Sequence, residues 1–219
     1  MIKAVIFDLD GLLINSEPIW KRVEIEVFSR HGMPVTEKDL MQSVGLRIDE
    51  VIMHWAQHFS VEVDRDEIQA EVLSKMQEAI VKEGLANKMP GVDEVCAYLQ
   101  DQQIPMAVAS SSHLALIQTA VEILGLKKYM RVVYSAEFES HGKPHPGVFL
   151  AAADYLRVDP LQCLVLEDSV NGMIAAKAAR MACVVVPAKD EMDRPEWGLA
   201  DGVLPSLEGL MELVENLEE

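Results

Sequence analysis

Along the 219-residue chain, short uncharged apolar runs alternate with helical stretches, and this alternation constrains the fold most. The runs lie at 4–7, 105–110, 132–134, 164–166 and 183–186. Apolar periodicity predicts helices at about 92–102, 113–124, 146–156, 171–180 and 206–217. Runs without polar alternation read as strands covered on both faces, and strands alternating with helices form a parallel sheet flanked by helices. One interval breaks the rhythm. From Glu17 to about Gly84 there is helical patterning only, carried by Ile19, Val23, Val27 and Phe28, then Val51, Ile52, Trp55 and Ala56, then Ile68, Val72, Leu73, Met76 and Ile80. The first run belongs with the later ones, so this interval is an insertion, placed as a lid over the carboxyl edge of the sheet.

Ligands of parallel sheets collect beyond the carboxyl ends of the strands. The first run stops there on Asp8-Leu9-Asp10-Gly11. Two like charges so close repel and resist desolvation unless a cation neutralises them, and an all-oxygen pair suits Mg²⁺. The glycine lets the chain leave the strand sharply. Other strand ends bring Ser110-Ser111-Ser112 and Glu167-Asp168-Ser169, and Lys143-Pro144 precedes a helix. Two acids, a hydroxyl, a lysine and two further acids suit phosphoryl transfer. A carboxylate can attack phosphorus, Mg²⁺ and lysine can offset charge on the phosphoryl oxygens, and a second acid can move the proton.

Composition narrows the partners. Half the residues are hydrophobic, enough for a sizeable core, and the formal net charge is −17. That charge disfavours nucleic acid and anionic membrane surfaces, which need a basic face. No run approaches the roughly 20 apolar residues of a membrane span, and the start of the chain enters a strand without a signal-peptide pattern. A cytoplasmic monomer acting on a small-molecule phosphate ester is expected. Cys96, Cys163 and Cys183 are widely separated in apolar stretches and read as reduced core residues.

In the order Asp8-x-Asp10, Ser110, Lys143, Glu167-Asp168, the chain resembles the haloacid dehalogenase superfamily of phosphatases over essentially its whole length. The segments 8–18, 45–49, 143–146 and 167–173 are similar to bacterial sugar phosphatases acting on hexitol phosphates and 2-deoxyglucose 6-phosphate, and to β-phosphoglucomutases. The resemblance implies an α/β, Rossmann-like core over 1–14 and 86–219 with a helical cap over 15–85. It implies Asp8 as nucleophile, Asp10 as general acid and base, and Mg²⁺, or Mn²⁺ in its place, on Asp8, the Asp10 backbone carbonyl and Asp168. Phosphate would lie against Asp8, Leu9, Asp10, Ser110, Ser111 and Lys143, with Glu167 in an outer shell, and Arg47 and Trp20 would supply specificity from the cap. The mutases carry a histidine where this chain has Trp20, which weighs against the mutase alternative.

Blander roles compete at several positions. Ser111 and Ser112 can be turn and N-cap residues, and Arg47 a solvated helix residue. His54 and His58 are spaced i, i+4, but the intervening residues lack the metalloprotease glutamate and no third ligand is evident. Trp20 and Trp55 fit packing, and the 12 methionines fit gap filling. The acidic residues 215–219 read as a solvated helix end. A receiver-type phospho-switch groups similar residues around Mg²⁺, but expects its phosphorylated aspartate on a later strand and no helical insertion after the first.

Overall fold

The computed structural model describes residues 2–43 and 45–212. After β1 (Ala4–Phe7) come α1 (Glu17–Arg30), α2 (Glu37–Leu40), α3 (Ile48–Phe59) and α4 (Arg65–Glu83). The chain continues through α5 (Val92–Asp101), β2 (Met106–Ser110), α6 (Leu114–Ile123), β3 (Met130–Ser135), α7 (Gly147–Leu156), β4 (Cys163–Glu167), α8 (Val170–Ala178), β5 (Ala182–Val185) and β6 (Gly202–Val203). All neighbouring strands run parallel, in the order β3-β2-β1-β4-β5-β6. The fold is a Rossmann-like sheet with helices on both faces and an inserted helical cap.

The sheet's two faces explain its uncharged strands. Val5 and Phe7 of β1 join one apolar core, while Ala4 and Ile6 join another with α7 and α8. All four are at most 1% exposed, and each large side chain removed from water contributes about 1.5–3 kcal/mol. The first core runs on without interruption into the cap through Ile19, Val27, Trp55, Val72 and Ile80. Local signals set the cap helix ends: Asp64 accepts from Asp66 N at 3.0 Å and Glu67 N at 3.1 Å to start α4, and Thr36 forms a capping box with Asp39 for α2.

Two expectations change at the edges, and one short strand is added. Strand β3 extends past 132–134 at both ends, because pairing with β2 carries it on where its own half-exposed side chains give little apolar signal. β6 is only two residues long, too short for a periodicity to register, and is held by pairing with β5. The expected helix at 206–217 begins as a 3₁₀ turn at Leu207–Gly209, and its residues beyond 212 lie outside the described part, as do the acidic residues 215–219.

Candidate active site

The strand ends converge as parallel topology requires. Asp8 N donates to Leu166 O at 2.9 Å, which carries the β1 pairing one residue further and sets the Asp8 side chain beyond the sheet. Gly11 then turns the chain with φ of +83°, and a Cβ there would overlap Asp168 Oδ2. Glycine at 11 therefore serves both the turn and the close approach of Asp168.

Lys143, 2% exposed, stands at the centre of the acids. Its Nζ donates to Asp8 Oδ1 at 2.5 Å, Glu167 Oε1 at 2.7 Å and Ala109 O at 3.4 Å, and lies 4.8 Å from the Phe149 ring centroid. Glu167 is fully buried, and its Oε2 accepts from Asp168 N at 3.0 Å, Ser169 N at 2.9 Å and Ser169 Oγ at 3.0 Å. Gly172 makes room for it, since a Cβ at 172 would overlap the Glu167 carboxylate. With both oxygens engaged, Glu167 positions Lys143 and the start of α8.

Asp8, Glu167 and Asp168 each offer an oxygen within 4.8 Å of the others. Burial, opposed by Lys143 and reinforced by Glu167 and Asp10, pushes the Asp8 carboxyl up to about 8. Burial, then Glu167 and Asp8, lift Asp168 well above the usual carboxylate range. Burial alone would lower the Lys143 ammonium, but Asp8 and Glu167 outweigh it and hold it above its ordinary value. Three carboxylates against one ammonium leave two formal negative charges in excess when all are ionised. Hard oxygen donors with that excess fit a divalent cation such as Mg²⁺.

Asp10 is fixed by four donors. Its Oδ1 accepts from Ser16 Oγ at 2.6 Å and Trp20 Nε1 at 2.9 Å, and its Oδ2 from Ser112 Oγ at 2.7 Å and Ser110 Oγ at 3.3 Å. The sequence reading missed Ser16 and Ser112. The N-cap of α6 is His113 rather than Ser112, whose hydroxyl shares the Ser110 side of an extended chain, and that i, i+2 relation was the available signal. Ser111 Oγ donates to Gly45 O at 2.9 Å, linking core to cap.

A cavity of about 100 Å³ lies above these groups. Its floor includes Asp8, Asp10, Ser110, Ser111, Ser112, Lys143 and Asp168, and the cap contributes Glu17, Trp20, Lys21, Glu24, Leu40, Leu46, Ile48 and Val51. Trp20 lines the cavity and gives its indole N–H to Asp10. Arg47 does not line it. Its Nη1 donates to Ala136 O at 3.1 Å and Glu139 O at 2.8 Å, and its Nε and Nη2 hold Asp49 at 3.0 and 2.6 Å. The guanidinium latches the cap to the core, a role decided by docking that spacing could not reveal. His54 and His58 are exposed and flank Trp55 with ring centroids at 4.6 and 5.4 Å, and among the described residues they join no metal-type cluster. The three cysteines are buried and free.

This capped parallel α/β fold gathers carboxylates and a lysine at the carboxyl edge of its central strands, where α/β enzymes carry their sites. The chain belongs to the haloacid dehalogenase-like hydrolases, whose family model matches residues 2–180. It is similar to hexitol phosphatase B of Escherichia coli strain K12, 40% identical over 208 residues that span 94% of this chain and 93% of the relative. Among solved structures it is similar to CbbY from Rhodobacter sphaeroides in complex with phosphate, with TM-score 0.84, 26% identity and 96% of each chain covered. A β-phosphoglucomutase from Clostridium difficile shares the fold at TM-score 0.88 and 22% identity, covering 99% of this chain and 96% of that one. Among the described residues no helix is long and apolar enough to cross a membrane.

Proposed function

We propose that the protein is a phosphoric monoester hydrolase acting on small sugar or sugar-alcohol phosphates through a phospho-Asp8 intermediate. The observation that carries this reading is the placement of Asp8 against Lys143, with Asp10 held by four donors beside it, on the floor of one cap-roofed cavity. Similarity to hexitol phosphatase B supports the substrate class.

Asp8 attacks phosphorus, and the bond to the ester oxygen breaks as Asp10 gives that oxygen its proton. Water then attacks phosphorus while Asp10 recovers a proton from it, and the Asp8 oxygen–phosphorus bond breaks to return the carboxylate and release inorganic phosphate. Ser16, Trp20, Ser110 and Ser112 keep the Asp10 carboxyl group aimed during both steps. Lys143 places positive charge beside the phosphoryl oxygens, with Ser110, Ser111 and the backbone around Leu9 as further contacts. Asp8, the Asp10 backbone carbonyl and Asp168 would hold Mg²⁺, or Mn²⁺, which when bound neutralises the excess carboxylate charge and stabilises charge on the phosphoryl oxygens.

The cap comprises 15–85 in this reading, and the core 1–14 with 86–219. The two connecting segments lie side by side: Ile14 pairs with Lys88, and Asn15 N donates to Asn87 O at 2.8 Å. Such paired crossings suit a hinge that opens the cap for exchange of substrate and product. The test is a panel of phosphate monoesters assayed with Mg²⁺ and with excess chelator. Turnover of hexose or hexitol 6-phosphates that vanishes with chelator and in Asp8→Asn is expected. Absence of turnover on every ester, or normal turnover in Asp8→Asn, overturns the mechanism.

A further inference from the structure

The cap wall of the cavity holds a carboxyl group that the reaction above does not use. Glu24 of α1 is 8% exposed and lines the cavity, and among the described residues it accepts no hydrogen bond and forms no ion pair. Burial, and after it the charge of Glu17, pushes its carboxyl up to about 8. Its oxygens are not sealed in the packed interior but border the cavity, so only what enters the cavity can hydrogen-bond them. Its neighbours in the wall include Leu40, Leu46, Ile48 and Val51, which supply no side-chain donor, and Ser43, whose hydroxyl donates to Leu40 O at 3.0 Å. The missing donors must come from whatever fills the cavity.

The charges in the same cavity limit what that occupant can be. Two ammonium groups line it, and both are committed: Lys21 to Glu17 at 2.8 Å, Lys143 to Asp8 and Glu167. Arg47 is turned away, paired with Asp49 and latched to the carbonyls of Ala136 and Glu139. A second phosphate reaching the cap wall would meet Glu17 and Glu24 with no uncommitted cation among the described lining residues. Hydroxyl groups, by contrast, are donors without charge, and neighbouring hydroxyls on one carbon chain match the two oxygens of a carboxylate.

We propose that Glu24 determines specificity by accepting hydrogen bonds from hydroxyls at the end of the substrate remote from the phosphate, so that the site takes a polyhydroxylated monophosphate and rejects a bisphosphate. This rests on the phosphatase reading and deepens it. It also disfavours mutase chemistry, because transfer from phospho-Asp8 to a second oxygen of a sugar phosphate produces a bisphosphate within this cavity.

The experiment measures kcat/KM of the full chain at about pH 9, where the Glu24 carboxyl is ionised, with Mg²⁺ on a hexitol 6-phosphate, p-nitrophenyl phosphate and a hexose 1,6-bisphosphate, for wild type, Glu24→Leu and Glu24→Gln. In Glu24→Leu the ratio of hexitol phosphate to nitrophenyl phosphate is expected to fall about 10-fold or more, mainly through KM, since a hydroxyl facing a site without its partner binds poorly. Wild type is expected to use the bisphosphate at least about 10-fold less well than the monophosphate, a gap that narrows in both variants. Should Glu24→Leu fail to fold, Glu24→Gln keeps the shape, removes the charge and reads the bisphosphate gap alone. A ratio unchanged within about 2-fold in folded Glu24→Leu, a bisphosphate gap that does not narrow in Glu24→Gln, or a wild type that takes the bisphosphate equally well, overturns the role of Glu24 while leaving the phosphatase reading intact. A wild type inactive on every ester overturns both.

Discussion

Replacing Glu24 with glutamine should stabilise the protein at alkaline pH and change little in acid. The folded-state carboxyl is pushed to about 8 from an ordinary value of 4.5, chiefly by burial. Its raised position means the native state holds a proton over a range where the unfolded chain has released it, so stability falls as pH rises from about 4.5 to 8. Groups bordering the same cavity are Glu17 and Lys21 from its own helix and, from the core, Asp8, Asp10, Lys143 and Asp168. These are common to wild type and variant, so their titration cancels in the difference. Across the full interval the linkage amounts to at most about 5 kcal/mol, of which about 3.5 kcal/mol falls between pH 5 and pH 8. Urea unfolding at those two pH values, with chelator present throughout, reads the effect. The gap between Glu24→Gln and wild type should widen by about 2–4 kcal/mol toward pH 8. Parallel stability curves, with the same gap at both pH values, would mean the carboxyl is solvated or paired in the native state, and the reasoning fails.

Other residues yield sharper single tests. Lys143→Met leaves Asp8 and Glu167 buried without their partner, and chelator-treated protein should lose about 3–5 kcal/mol in urea unfolding at pH 7; a loss below about 1 kcal/mol would show that solvent already reaches the cluster. Gly172→Ala should destabilise by about 1–3 kcal/mol in thermal unfolding despite the better helix former, because the new Cβ collides with Glu167. Ser112→Ala removes the 2.7 Å bond to Asp10 and should lower kcat on the best ester about 10-fold with KM within about 3-fold, and an unchanged kcat would remove Ser112 from the positioning of Asp10. Arg47→Ala frees the cap loop from the Ala136 and Glu139 carbonyls, so amide exchange in α3 should quicken, which hydrogen-exchange mass spectrometry detects.

The strands and the acids at their ends were readable because both depend on local chemistry. An uncharged run must be covered on both faces, and a parallel sheet sends every strand's carboxyl end to one edge, so Asp8, Ser110, Glu167 and Asp168 had to meet. Lys143 lies in a loop rather than on a strand, yet its place before α7 brought it to that edge as well. What the sequence concealed depends on how α1 and the loop before α3 dock on the core. Trp20, Glu24 and Phe28 fall on one stripe of α1 at i, i+4 spacing, and the acid among apolar neighbours was the only hint that Glu24 is buried. Arg47 carries the charge expected of a substrate contact, and the fold sets its guanidinium against carbonyls 89 and 92 positions away.

By itself, then, the sequence determined the parallel sheet, the helical insertion and which residue types gather at its edge, since periodicity and strand polarity are properties of short segments. Tertiary structure alone decided which hydroxyls hold Asp10, that Arg47 fastens the cap and that Glu24 faces the cavity without a partner among the described residues. Those assignments turn on distances of a few ångströms between segments far apart in the chain, fixed only when the cap's apolar face and the sheet's share one core.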